Sequence, residues 1–463
     1  MTHHPESSDE GVDPKVPQQE NSLSHAVNTD VGDEALEDNS GDEMVPLIPR
    51  TVPAYRAGVV YGCFLLLGLG TLLPWNFFIT AQTYWDYKFR NTSATNETMP
   101  EPTELQILYT PMQVCFSQIP NFFFLFINAL FSHKIPQRLR LLVSLTLMII
   151  FFSLTTMLTQ INTDEWQVGF FILTIIIIIL INGSGAIFQG GLFGVAGMFP
   201  EKYMTAVVSG QALGGVFASG ARIISLSVGA KDETAAFIYF MIAVGVMILT
   251  LAAYLYMSKT EFYKHYSNCQ APEKDKDESP ATNRTLGEQA KIFKEIWPVG
   301  VSVCGVFAVT LGAFPALCVK IISMSEDEMW ASVYFQPVVT FLLFNVGDYL
   351  GRQVAGFIMW PRRGSKILYF LVLLRIVFIP LFLLCNHNPK SPIPSLFAHD
   401  AWYVVFMLLF SLSNGYCSSL CMMYGPKMVS EDKAEVASSM MAAMLGLGLL
   451  TGGLSSFAFA LIG

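Results

Sequence analysis

Charge is scarce in this sequence: Asp, Glu, Lys and Arg make up 14% of it, against 52% hydrophobic residues, and the mean hydropathy is +0.47. Soluble domains carry about 25% charged residues, so a water-soluble fold is excluded and an integral membrane protein is indicated. Cysteine supplies no framework. No Cys-x-x-Cys pair occurs, and Cys63, Cys115, Cys304, Cys318, Cys385, Cys417 and Cys421 fall in apolar runs, where a small polarizable side chain packs well; this argues against a disulfide scaffold and a metal site. His3, His4, His25, His133, His265, His387 and His399 lie in a polar tail, in loops or at run edges, which keeps the base of a Ser–His centre and the ligands of a metalloenzyme out of the bilayer. Acids embedded in apolar sequence reduce to Asp348, whereas an intramembrane aspartyl protease needs two. No enzyme, cofactor or nucleic-acid partner is indicated.

What is present is a polar tail followed by long apolar runs. Residues 1–50 hold twelve acids, Glu6 through Glu43, against Lys15 and Arg50, which accounts for the formal net charge of −9. The tail lacks the apolar core of a signal peptide, and its Ser, Asp, Glu, Asn and Pro content reads as disorder over 1–54. Runs near 20 residues, about the length that crosses a bilayer, occur eleven times: 57–79, 111–131, 140–161, 167–193, 203–228, 234–257, 296–319, 334–359, 366–386, 402–424 and 434–462. The fold class is thus all-α, with eleven transmembrane helices. They divide 6+5 into an N-terminal bundle (55–257) and a C-terminal bundle (292–463), joined by a charged, Pro-containing loop at 258–291.

Loop charge sets the orientation. With the N-terminus cytoplasmic, inside loops hold sixteen Lys and Arg, among them Lys134, Arg138, Arg362 and Arg363, and outside loops hold five: Lys88, Arg90, Lys231, Lys320 and Lys390. That asymmetry satisfies the positive-inside rule. It places the sequons at Asn91 and Asn96 outside, where glycosylation occurs, and the sequon at Asn283 inside, where it stays bare.

Polar residues within the runs carry the functional signal. Asp348 and Arg352 stand four residues apart, so on a helix they share one face and can pair. Each charge costs about 3 kcal/mol at mid-membrane, so the pair must face protein or a watery cavity rather than lipid. This makes the chain a conduit for a polar solute. The first run carries Pro74, which frees a backbone carbonyl, beside Trp75 and Asn76; taken alone, Trp75 reads first as an interfacial belt residue. The second carries Gln118, Pro120 and Asn121, and the fourth Asn182 and Gln189 among glycines. Gly210 with Gly214, and Gly448 with Gly452, have the GxxxG spacing of close helix packing. Arg222 and Arg375 should find carbonyls or acids near span ends, with architecture and gating both open as roles.

Four segments together resemble a known family. They are Gly68-Leu-Gly-Thr-Leu-Leu-Pro-Trp-Asn-Phe-Phe78, Phe188-Gln-Gly-Gly-Leu-Phe-Gly194, Phe344-Asn-Val-Gly-Asp-Tyr-Leu-Gly-Arg352, and Ser413-Asn-Gly-Tyr416 with Gly425-Pro-Lys427. In sequence and order they resemble the equilibrative nucleoside transporters, over about residues 55–463. The resemblance implies a major-facilitator-like fold with a central cavity and alternating access. It also implies that Trp75, Gln189, Asp348 and Arg352 line a nucleoside site, with Asn76 and Asn345 as neighbours. A nucleoside suits them: Trp75 can cover a flat base, Gln189 can bond its edge, Asp348 can accept from the ribose diol and Arg352 can donate to it. One departure is instructive. Gln118 and Asn121 stand where Met or Leu is familiar, which makes the base end of the cavity more polar and brings Gln118 into the candidate site; Ile79 also replaces a familiar Met.

The sole embedded acid has a basic partner four residues on, which leaves no unpaired acid to shuttle protons, and no unwound, oxygen-lined sodium site is evident. The expectation is bidirectional facilitated diffusion of nucleosides such as adenosine and uridine. A nucleobase carrier and a proton-influenced endolysosomal nucleoside exporter stay open as alternatives. Glu43, Leu47 and Ile48 fit an acidic dileucine pattern, read by clathrin adaptor complexes, so both the plasma membrane and the endosomal–lysosomal membrane are candidate residences. Replacing Leu47→Ala and Ile48→Ala together should shift the protein to the cell surface, as measured by surface biotinylation; an unchanged distribution refutes the sorting motif.

Overall fold

The structure, a computed structural model, describes residues 57–92, 103–131, 135–228, 232–268, 286–315, 317–386 and 395–462. The acidic tail with Glu43, Leu47 and Ile48, the sequons at Asn96 and Asn283, and the middle of the 258–291 loop lie outside the described residues. Asn91 lies within them and is exposed.

Among the described residues, eleven helical segments are long and apolar enough to cross a membrane. Six precede the central loop: α1 (Ala57–Thr80), α3 (Glu104–Phe131), α4 (Gln137–Leu158), α5 (Gln167–Met198), α6 (Glu201–Val228) and α7 (Asp232–Met257). Five follow it: α9 (Leu286–Ala313) with a short extension to Lys320, a wide-turned π segment from Trp330 to Leu342 that runs into α10 (Leu343–Phe357), α11 (Lys366–Leu374) with α12 (Phe378–Leu383), α13 (Asp400–Tyr424) and α14 (Ala434–Ile462). Short helices α2 (Gln82–Lys88) and α8 (Glu261–Asn268) sit in loops, and no named strand occurs among the described residues. The membrane, not propensity, explains the helices. The Thr174–Ile179 stretch of α5 is a run of β-branched residues that would suit a strand in water, but in lipid only a helix satisfies every backbone group within the segment.

Several details depart from an uninterrupted-span reading. The span expected from Tyr334 begins at Trp330, and its first turns are π rather than α. Pro337 lies in that stretch and cannot supply a backbone N–H, and wide turns of this kind recur at functional sites. The ninth span breaks into a 3-10 turn at Arg375–Val377, and Pro380, four residues beyond Ile376, lacks the N–H that an α-helix would direct at the Ile376 carbonyl. The central loop is partly helical: α8 packs Phe262, Tyr263 and Tyr266 onto Phe199 at the end of α5, with ring centroids 4.9–6.1 Å apart.

Close backbone approach fixes the tightest helix pairs, α1 with α6, α10 with α13, and α9 with α14. A Cβ on Gly210 would overlap the carbonyl oxygen of Leu65, and one on Gly415 would overlap the backbone oxygen of Asp348. The segments on either side of the central loop also interlock: α14 packs on α3 and α5, α10 on α6, and Arg140 of α4 reaches Glu435 of α14 at 2.7 Å. Gly415→Ala should therefore destabilise the protein by about 1–3 kcal/mol through overpacking, although alanine is the better helix former. Thermal unfolding in detergent checks this against Gly245→Ala, whose Cβ enters open space and should leave the melt unchanged or raise it; equal effects of the two would contradict the close-packed seam.

Candidate functional site

The seam between α10 and α13 positions a buried charge. Asp348 and Arg352, each 4% exposed, pair through Oδ2 and Nε at 2.8 Å, one helical turn apart as their spacing predicts. The pair is not left to itself. Asn414 Nδ2 donates to Asp348 Oδ1 at 2.6 Å from α13, and Arg352 donates to the carbonyl of Val208 on α6 at 2.7 Å. Such bonds to charged groups are worth about 1.5–3 kcal/mol each, and they answer the desolvation that burial imposes on an ion pair.

Behind Asn414 stands a second buried guanidinium. Arg375, 1% exposed on its 3-10 turn, donates to Thr310 Oγ1 of α9 at 2.7 Å, to Asn414 Oδ1 at 3.3 Å and to the Phe410 carbonyl at 2.9 Å, and also to Ser413 Oγ. Thr310 Oγ1 also lies 2.6 Å from Asn414 Oδ1. The carbonyl partner expected for Arg375 is there in Phe410, these partners include no acid, and the hydroxyls and the amide that complete the set connect it to the Asp348 site.

Asp348, Arg352, Asn414 and Thr310 line a cavity of about 1060 Å³, part of which is open solvent. All seven residues singled out from sequence line the same cavity: Trp75 and Asn76 from α1, Gln118 from α3, Gln189 from α5, and Asn345, Asp348 and Arg352 from α10. Their states differ. Asn76 bonds back to the Leu72 carbonyl at 3.0 Å, and Asn345 donates to Ser219 of α6 at 2.8 Å, closing against Gly215. By contrast, Gln189 Nε2 (residue 3% exposed) and Gln118 Oε1 (7%) are buried with no protein partner. A buried amide without a partner is costly, so these two groups are available to a polar ligand. Trp75 is half-buried, and the stacked pair Phe314 and Phe344, 4.0 Å between centroids, supplies an apolar wall.

Thr310, Asn414 and Arg375 were not assigned to the site from sequence. Asn414 gave a usable signal, since an amide inside a span requires a partner, but that rule does not name the partner. Thr310 gave none, because a threonine in a span commonly satisfies itself on the preceding turn, as Thr310 also does on Val306 at 2.8 Å. Among the described residues no group of three His, Cys, Asp or Glu gathers to hold a metal.

Residues 175–461 match the family model described as nucleoside transporter. Human equilibrative nucleoside transporter 1 is 37% identical over 88% of this chain and 98% of its own length, and human equilibrative nucleoside transporter 2 is 34% identical over 86% and 95%. Among solved structures, the E. coli fucose:proton symporter FucP, a major facilitator superfamily transporter, superposes with a TM-score of 0.53 over 87% of this chain and 96% of that one; at 11% identity this is a likeness of fold.

Proposed function

The chain belongs to the equilibrative nucleoside transporter family, and from that premise we propose that it carries nucleosides such as adenosine and uridine across a membrane, in both directions, by facilitated diffusion. The observation that carries the reading is the chemistry of this cavity: a carboxylate and a guanidinium on α10, and carboxamides on α3 and α5 that each keep a buried polar atom without a protein partner. A nucleoside presents a diol at one end and a flat, hydrogen-bonding base at the other. Asp348 accepts from ribose hydroxyls and Arg352 donates to them; Gln189 and Gln118 bond the base edge, Trp75 covers its face, and Asn76 and Asn345 hold the flanking walls.

Transport proceeds by alternating access, with the bundles 55–257 and 292–463 rocking about the cavity. It runs without ion coupling, because Asp348 has both carboxylate oxygens engaged by fixed donors. The N-terminus is cytoplasmic. The protein resides in the plasma membrane, the endosomal–lysosomal membrane or both, with its tail read by clathrin adaptors at Glu43, Leu47 and Ile48 and glycans on Asn91 and Asn96.

Radiolabelled adenosine flux into proteoliposomes holding equal amounts of protein tests the proposal. Uptake should saturate and level off at the external concentration even under an imposed pH gradient. Asp348→Asn and Arg352→Gln should each lower the initial rate at least about tenfold, the loss of a charge-assisted bond. Unchanged rates in both would reduce the pair to architecture, and accumulation above equilibrium would overturn uncoupled transport.

A further inference from the structure

We propose that Arg375 is a positioning residue for the sugar end of the substrate site: it holds the Asn414 carboxamide in the one orientation that lets it donate to Asp348. This role depends on Asp348 receiving the ribose, as proposed above. An asparagine amide is nearly symmetric in shape, so which end faces a neighbour is decided by the neighbours' hydrogen-bonding character. A carboxylate only accepts and a guanidinium only donates. Asn414 lies between one of each, with Nδ2 at 2.6 Å from Asp348 Oδ1 and Oδ1 at 3.3 Å from the Arg375 guanidinium. Turned over, the amide would set an oxygen against the carboxylate and an NH2 against the guanidinium, two repulsive contacts in a site where both charged groups are under 5% exposed.

Arg375 is itself fixed through both of its terminal nitrogens. Its two terminal nitrogens engage Thr310, Asn414, the Phe410 carbonyl and Ser413, and the guanidinium lies 4.8 Å from the centre of the Phe410 ring. Thr310 Oγ1 bridges the arrangement, accepting from Arg375 at 2.7 Å and lying 2.6 Å from Asn414 Oδ1. Asp348 Oδ1 is thereby bound from α13 while Oδ2 is bound from its own helix, which fixes the carboxylate plane and leaves its remaining lone pairs at a set angle to the cavity. Arg375 does not line the cavity, so its effect on substrate passes through Asn414.

The test compares adenosine with 2′,3′-dideoxyadenosine, which lacks the diol, as substrates in proteoliposomes. The wild type should prefer adenosine. In Arg375→Gln, whose amide can either donate or accept, that preference should fall about tenfold, whereas Arg375→Lys, still a pure donor, should retain most of it. The double variant of Arg375→Gln with Asn414→Leu should discriminate no worse than Asn414→Leu alone, because the two act in series. A merely structural role would lower both substrates in proportion and leave the preference intact, which overturns the proposal, as would multiplying effects in the double variant. If Arg375→Gln does not fold, Thr310→Val severs the same bridge and should lower the preference about threefold; an unchanged preference there refutes the idea equally. Wild-type protein that moves adenosine without discriminating refutes the ribose reading and the proposal with it, and wild-type protein that moves neither refutes nucleoside transport itself.

Discussion

A carboxylate buried among membrane helices persists only if its lone pairs are satisfied, and here Asp348 is satisfied by two different helices. Arg352 binds it from within α10 and Asn414 from α13, while Arg352 continues to the Val208 carbonyl of α6 and Asn414 to Thr310 of α9 and to Arg375. The charge pair is therefore a junction joining helices from both sides of the central loop. Removing either partner leaves the other buried and unpaired, the costly case for an ion pair. Three charges thus share one buried network, two guanidiniums to one carboxylate.

The junction depends on backbone closeness that only small residues allow. Gly415 sits against the backbone oxygen of Asp348, Gly351 against that of Leu412, and Gly215 against the amide of Asn345. Without these contacts α10 would stand off from α13 and α6, and side chains as short as Asp and Asn would not reach one another. Helices in lipid gain no hydrophobic stabilisation from meeting, so dispersion at such seams and polar bonds across them hold the bundle together. Packing and site are thus the same structure seen from two sides: the glycines that close the helix pairs also set the reach of the groups that face the cavity.

This explains what could be read in advance. The number and order of the spans followed from apolar length, and the Asp348–Arg352 pair from an i, i+4 spacing, because both are local properties of the chain. The span ends were less legible. α3 begins at Glu104 and α9 at Leu286, each several residues before its apolar run, since a helix can continue into the headgroup region on polar residues such as Gln106, Glu288 and Lys291. The π segment around Pro337 and the 3-10 turn at Arg375 were not legible either, because turn width depends on packing more than on composition. Nor were the partners of the pair: Asn414 is 66 residues from Asp348, and Thr310 is 104 from Asn414, so their meeting is a property of the folded bundle.

The central claim is that this junction receives the sugar of a nucleoside while the carboxamides of α3 and α5 receive its base. The most direct measurement is a structure of the purified protein with adenosine bound. The account predicts the ribose hydroxyls within hydrogen-bonding distance of Asp348 and Arg352, and the purine edge at Gln189 and Gln118 with its face on Trp75. Adenosine seated outside the cavity, or inverted with its base on Asp348, would contradict it.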